Sequence, residues 1–262
     1  MPERLAEVTL FGGTANRGLV VRRGDTVRRP LRPTSSSTHA LLEYLADVGF
    51  DGSPRLLGID REGREVLTFI PGDAVIPPYP AWALTDDALR SVAELLRRYH
   101  EAAAGFDLTP HSWPRVAPPE FDEGLVSHND PNLDNVIFRG GRAVAFIDFD
   151  WAGPGSAIWD VADAVRLWAP LRPDRYIDDA RRGAGLVRLR TFVAAYGVDL
   201  DPERLVRAVR LSHDRMYELI EDGAGAGNQG FADYWALAEH RAAATAAWYV
   251  EQHDTLIKAL SD

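Results

Sequence analysis

Ser127-His128-Asn129-Asp130-Pro131-Asn132-Leu133-Asp134-Asn135, followed across a short hairpin by Phe146-Ile147-Asp148-Phe149-Asp150-Trp151, carries most of the chemical information in this 262-residue chain. Val136–Arg139 and Ala143–Ile147 read as strands, with Gly140-Gly141 as the turn between them. Phosphoryl transfer asks a protein for a carboxylate that accepts or orients a hydroxyl proton, and for oxygen ligands that hold magnesium on the phosphates. Asp130 can supply the first. Asn135, where the loop returns toward a strand, and Asp148, at the end of the hairpin, can supply the second. Magnesium takes one or two carboxylates plus phosphate oxygens and water, so this sparse set suits it better than calcium, which wants about six to eight oxygens. Asp134 reads as a loop hydrogen-bonder, and Asp150 stands between an auxiliary ligand and a loop residue.

Outward from this stretch the chain divides. Toward the N-terminus, Val8–Phe11, Gly18–Arg22 and Thr26–Arg29 read as strands. Pro33–Thr38 reads as a polar loop, and His39–Val48 has leucines at helical spacing. Leu56–Asp60 and Glu65–Phe69 read as a hairpin turned at Glu62-Gly63. Ile70-Pro71-Gly72 breaks the chain, and Thr85 is the N-cap of a helix that runs to about Ala104. After Asp160 the pattern is helical almost to the end, with breaks at Ala169-Pro170, Gly197–Asp201 and Gly223–Gly230. The expectation is an α+β protein of two lobes: a small antiparallel sheet-rich unit over residues 1–70 and a larger helical unit over 71–262, with a hinge near residue 70.

The pattern His-x-Asp-x-x-x-x-Asn at 128–135, with Ile-Asp-Phe-Asp at 147–150, resembles the catalytic and metal-binding segments of the aminoglycoside phosphotransferase family. That family has a protein-kinase-like fold and includes choline kinase and homoserine kinase relatives. The resemblance covers about residues 8 to 168 and fades in the C-terminal helices. It implies ATP and Mg2+ as cofactors and a small-molecule hydroxyl as acceptor, with an amino sugar, aminoglycoside or amino alcohol as the candidate classes. Asp130 is implied as catalytic base, Asn135 and Asp148 as magnesium ligands and Asp150 as a possible third. His128 and Asp160 are implied as supports of the catalytic loop. Thr68, Phe69 and Ile70 fit the lobe-linking segment whose backbone meets the adenine.

Two features depart from the family pattern. The cation on the third strand is normally lysine, but the only lysine is Lys258, so Arg29 is the implied phosphate-binding residue. Its usual glutamate partner falls by spacing at Thr38 or His39, leaving Glu43 or no partner. His39 itself reads as a packing residue at the helix start. Gly12 and Gly13, between two strands, can lie over phosphates, since glycine permits close backbone approach, or can be a plain hairpin turn. These departures keep open a second reading, a catalytically inactive kinase-like protein that binds a nucleotide or metabolite.

Composition narrows the partners. Cysteine is absent, which excludes disulfides, thiol catalysis and Cys-bound zinc. A net charge of -10 disfavours a nucleic-acid backbone as partner and is compatible with a cationic acceptor. No apolar run approaches the ~20 residues needed to span a bilayer, and no signal peptide is evident, so the expected location is cytoplasmic. Asp214, Glu218, Glu221 and Asp222 share helical spacing; of these Asp214, Glu218 and Asp222 are the candidate acceptor contacts. The glycine-rich stretch from Asp222 to Gly230 reads as a lid or an inter-helix loop.

Overall fold

Short alternating segments and tight turns make the first part of the chain strand-rich. The computed structural model describes residues 6–10 and 18–261. Strands β1 (Val8–Thr9), β2 (Val21–Arg23), β3 (Thr26–Pro30), β4 (Leu56–Ile59) and β5 (Arg64–Thr68) form an antiparallel sheet in the order β1-β2-β3-β5-β4. The β3–β5 register sets Arg29 directly opposite Glu65. Helix α1 (Ser35–Asp47) buries Leu41, Leu42 and Leu45. It begins one turn before the expected His39, because Ser37 and Thr38 are buried rather than solvated. The Ser37 hydroxyl donates to Ser112 O at 2.7 Å and accepts from Ser112 N–H at 3.1 Å, which satisfies a polar side chain inside the protein.

Beyond residue 70 come β6 (Asp73–Ala74), α2 (Asp86–Ala103), β7 (Leu125–Ser127), β8 (Val136–Arg139), β9 (Arg142–Phe146) and β10 (Gly153–Gly155). Strands β6, β8 and β9 form one small sheet, and β7 pairs with β10. The Thr85 hydroxyl caps α2 by accepting from Ala88 N–H at 3.2 Å. Leu89, Val92, Leu96 and Tyr99 make its buried face. Five more helices follow among the described residues: α3 (Ala157–Trp168), α4 (Gly185–Tyr196), α5 (Pro202–Gly225), α6 (Gln229–Glu251) and α7 (His253–Ser261). No helix among the described residues is long and apolar enough to cross a membrane.

Helix α5 packs against both α3 and α6. The expected long break at Gly223–Gly230 is much shorter than its glycine content suggests. Helix α5 continues to Gly225, and Asn228 caps α6 by accepting from Phe231 N–H at 3.2 Å. Gly223 belongs to the helix for a packing reason: a Cβ there would come within 2.1 Å of the Phe231 ring. The glycine lets α6 approach.

Candidate active site

The loop after β7 is held by a carboxylate from the next helix. Asp160, fully buried near the start of α3, accepts from His128 N–H at 2.7 Å and Asn129 N–H at 2.9 Å. His100 Nε2 lies 3.0 Å from the same carboxylate. Asn129 takes a left-handed backbone conformation (φ 61°), unusual for a residue with a side chain. Its contacts over-determine that conformation: Trp159 Nε1 donates to its side-chain oxygen at 3.0 Å, its own amide donates to Trp151 O at 3.1 Å, and Arg115 donates to its carbonyl at 2.7 Å. His128 is buried; its Nε2 lies 3.1 Å from Ile147 O, and burial pushes its imidazole below the ordinary histidine range. Burial pushes the Asp160 carboxyl up, but the bonds from His100 and the His128 amide outweigh it and hold the group below its ordinary value.

Asp130, Asn135 and Asp148 line one cavity of about 630 Å³. The Asn135 amide donates to Asp130 O at 2.9 Å and to Asp130 Oδ2 at 2.8 Å, while Asn132 donates to Asp130 Oδ1. Burial raises the Asp130 carboxyl well above the usual carboxylate range, and the nearby charges of Asp163, Asp148 and Asp134 add to this. Asp134, expected as a loop hydrogen-bonder, also lines the cavity. Asp148 adopts φ 61°, and its Oδ1 accepts from Arg29 Nη1 at 2.8 Å. Among the described residues, neither Asn135 Oδ1 nor Asp148 Oδ2 accepts a hydrogen bond. Two free oxygens on one cavity wall fit magnesium, which completes its shell with phosphate and water. No cluster of three His, Asp or Glu stands in for such a site among the described residues.

Asp150 is engaged differently. Its Oδ1 lies 2.7 Å from Arg29 Nη2 and its Oδ2 lies 2.5 Å from Arg32 Nε, so both oxygens face arginines, the second without hydrogen-bond geometry. Arg29 also departs from expectation. Its Nε donates to Glu65 Oε1 at 2.5 Å, so its three nitrogens are bound to Glu65, Asp148 and Asp150. Burial works against its charge, but these carboxylates together hold it protonated. Its partner is neither Glu43, which is exposed, nor absent; it is Glu65 on the adjacent strand. His39, expected as a packing residue, sits in the slot of the missing helix glutamate with Nε2 2.7 Å from Glu65 Oε2. A histidine reaching a strand glutamate thus takes the place of a helix glutamate reaching the cation. Sequence reading missed Glu65. The signal available was the pairing of the third strand with the hairpin at Glu62-Gly63, which brings an acidic residue opposite Arg29.

Thr68, Phe69 and Ile70 line the cavity with Val27 and Leu67. The Thr68 and Phe69 N–H groups already donate to Arg55 O and Asp25 O at 2.9 and 2.8 Å. Ile70 N–H has no backbone acceptor among the described residues. Gly12 and Gly13 lie outside the described residues. At the other end the cavity is lined by Arg166, Leu167, Met216, Leu219, Phe231 and Tyr234. Asp214, Glu218 and Asp222 are not among its lining residues. The helical spacing of α5 does gather its acids on a face, but α3 and α6 turn Met216 and Leu219 toward the cavity instead.

A model of the phosphotransferase enzyme family matches residues 111–196. The chain is 30% identical over 268 aligned positions to the trifolitoxin immunity protein of Rhizobium leguminosarum bv. trifolii, covering 97% of this chain and 99% of that protein. It is 28% identical to a homoserine kinase of Brucella abortus (strain S19), covering 74% of this chain and 55% of the kinase. Among solved structures, an aminoglycoside phosphotransferase from Streptomyces rimosus, in complex with ADP and streptomycin, superposes with a TM-score of 0.55 at 16% identity. That match covers 79% of this chain and 92% of the other.

Proposed function

This chain belongs to the phosphotransferase enzyme family and is a small-molecule phosphotransferase of protein-kinase-like fold, and from that premise we propose that it moves the γ-phosphoryl group of ATP to an acceptor hydroxyl with Asp130 as the base. The observation that carries this reading is the grouping on one cavity wall of the Asp130 carboxylate with the free Asn135 Oδ1 and Asp148 Oδ2. In this reading residues 1–70 form the nucleotide lobe and 71–262 carry the catalytic loop and the acceptor site. The adenine would rest against Val27 and Leu67, cross-strand neighbours that both line the cavity, with Ile70 N–H, which has no backbone acceptor among the described residues, as a donor, and the phosphates would lie toward Asp148. Asn135 and Asp148 would hold Mg2+, which supplies charge neutralisation of the phosphate oxygens.

Asp130 orients the acceptor hydroxyl and takes its proton as the oxygen bonds to the γ-phosphorus. The bond from that phosphorus to the bridging oxygen breaks, and ADP leaves with the electron pair. The amides of Asn132 and Asn135 fix the carboxylate for this step. Arg29 contributes by aiming Asp148, and because its three contacts use only three of five N–H donors, Nη1 and Nη2 each keep one N–H for a phosphate oxygen. The full-length likeness to an immunity protein supports a protective role, in which the acceptor is a toxic compound inactivated by the added phosphate.

The test is Asp130→Ala, assayed for ADP release with a panel of amino sugars, amino alcohols and hydroxy acids, alongside calorimetry with ATP and magnesium. Turnover falls by about 10³-fold while nucleotide affinity stays within about threefold. Unchanged turnover in this variant would remove Asp130 from the chemistry.

A further inference from the structure

Several arginines gather at and behind the part of the cavity lined by α3, α5 and α6, and some of their buried N–H groups have no partner among the described residues. Arg166 on α3 lines the cavity and is 8% exposed. Its Nη2 donates to Asp163 Oδ1 at 2.9 Å, but its Nε is buried with no partner among the described residues. Asp163 is already shared: the Ser212 hydroxyl donates to its Oδ1 at 2.5 Å, and Arg115 lies 3.8 Å from its Oδ2. One carboxylate therefore faces two arginines, and its Oδ2 is buried without a hydrogen-bond partner among the described residues.

Arg172, in the turn after α3, has no ion pair or hydrogen bond among the described residues, and its Nε is buried. Burial pushes its pKa down, and the neighbouring cations of Arg241 and Arg181 push it further. Arg181 is neutralised by Asp179, with contacts of 3.0 and 2.7 Å. Among the described residues Arg241 on α6 has no carboxylate partner; its Nη2 donates to the Tyr234 hydroxyl at 3.1 Å, and its Nε is buried without a partner. The Tyr249 hydroxyl on the same helix is also buried and unpartnered. Leaving such donors buried and unpaired costs about 1–3 kcal/mol each, more for charged groups. Clustering like charges away from water adds to that cost. A ligand that brings the missing counter-charge removes both penalties.

We propose that the acceptor carries a carboxylate, which docks against the Arg166 guanidinium and the Tyr234 hydroxyl with Arg172 and Arg241 behind them, an assignment that rests on the phosphotransferase reading above. The wall around this point is apolar, with Leu167, Met216, Leu219, Ile220 and Phe231. The acceptor class that fits both features is a hydroxylated carboxylic acid with an apolar body. The acids expected on α5 to meet a cationic acceptor, Asp214, Glu218 and Asp222, do not line the cavity; those that do, Asp130, Asp134, Asp148 and Asp150, lie on the catalytic loop and the hairpin that follows it.

The experiment uses matched probes on the full chain: 6-hydroxyhexanoate, tropate and L-homoserine, each against its primary amide. Binding is measured by calorimetry, and transfer by ADP release. At least one acid binds at least about tenfold more tightly than its amide, as loss of a charged hydrogen-bonding partner implies. Tyr234→Phe and Arg241→Gln each cut that preference severalfold while MgATP affinity holds, and thermal melting of both variants establishes that they fold. Arg166→Gln abolishes the preference. Equal binding of acids and amides, no binding of any acid, or a preference that survives all three variants would overturn the site. So would a loss of ATP affinity, rather than acid affinity, in Arg166→Gln, because the guanidinium would then serve the nucleotide. The phosphotransferase reading is scored separately. Transfer to amides or amino sugars without acid preference keeps the enzyme and rejects the carboxylate. Acid binding with no transfer to any probe keeps the site and rejects the enzyme.

Discussion

The two sides of Asp130 are built by opposite rules. On the side of the catalytic loop, the backbone amides of His128 and Asn129 and the side chains of Asn129, Trp159 and Asn135 have named partners, and Asp160 anchors the network. On the side of α5 and α6, Arg166 on the cavity wall, and Arg172 and Arg241 outside its lining, each keep a buried Nε unpaired among the described residues. The backbone of the first side is braced before anything binds, leaving Asn135 Oδ1 and Asp148 Oδ2 open, which fixes the reacting groups without reorganisation at the moment of reaction. The second side is completed by its ligand. Mutations are therefore read out through fold and turnover on the braced side and through acceptor affinity on the open side.

The largest effect that would break this contrast is at Asp160. Asp160→Asn replaces one carboxylate oxygen by an amide nitrogen that faces backbone N–H donors. Stability at pH 7 drops by about 3 kcal/mol, and turnover falls with it because Asn129 loses its anchor. Chemical denaturation and steady-state assays check both. The pH dependence gives the sign. The folded carboxyl lies below its ordinary value, so its stabilisation is complete above about pH 4 and fades as pH falls through the folded value. The gap between wild type and variant therefore shrinks below about pH 4. A gap that is flat with pH would mean that charge is not what Asp160 contributes.

A smaller effect is expected at the hub of Arg29. Glu65→Gln keeps the shape but removes the negative charge shared by Arg29 and His39. The variant loses about 2 kcal/mol by thermal or chemical unfolding. Because Arg29 aims Asp148, the magnesium concentration at half-maximal turnover rises, while the acceptor KM stays close to wild type. A change in acceptor KM alone would show that the hub belongs to the open side after all.

What the sequence made legible follows the same division. Asp130, Asn135 and Asp148 lie within one loop and one hairpin, so their spacing along the chain is enough to group them. Glu65 escaped because its link to Arg29 is a cross-strand register, and register depends on how β3 aligns with β5 rather than on spacing along either strand. Asp150 looked like a ligand because it follows Asp148 closely, yet Arg29 and Arg32 converge on it from the N-terminal part of the chain. The acids of α5 were expected at the acceptor and do not line the cavity, for a third reason. Helical periodicity defines a face, but the packing of α3 and α6 decides which face meets the cavity. Gly223 misled in the same way, since a glycine that admits Phe231 reads in sequence like a loop.

The smallest effect sharpens the comparison most. Leu219 is half-buried on α5 and lines the acceptor end of the cavity. Leu219→Ala removes apolar contact from the cavity wall without opening the main core, so stability changes by about 1 kcal/mol or less. The acceptor loses part of the wall that excludes water, and its KM rises by about tenfold, the scale of a few lost apolar contacts. The nucleotide KM and kcat at saturating acceptor stay near wild type, because the hydrogen bonds that hold Asp130 and Asp148 come from Asn132, Asn135 and Arg29, not from α5. A fall in kcat with unchanged acceptor KM would mean that α5 acts on the catalytic loop through α3 and Asp163, and the open side would then be part of the braced one.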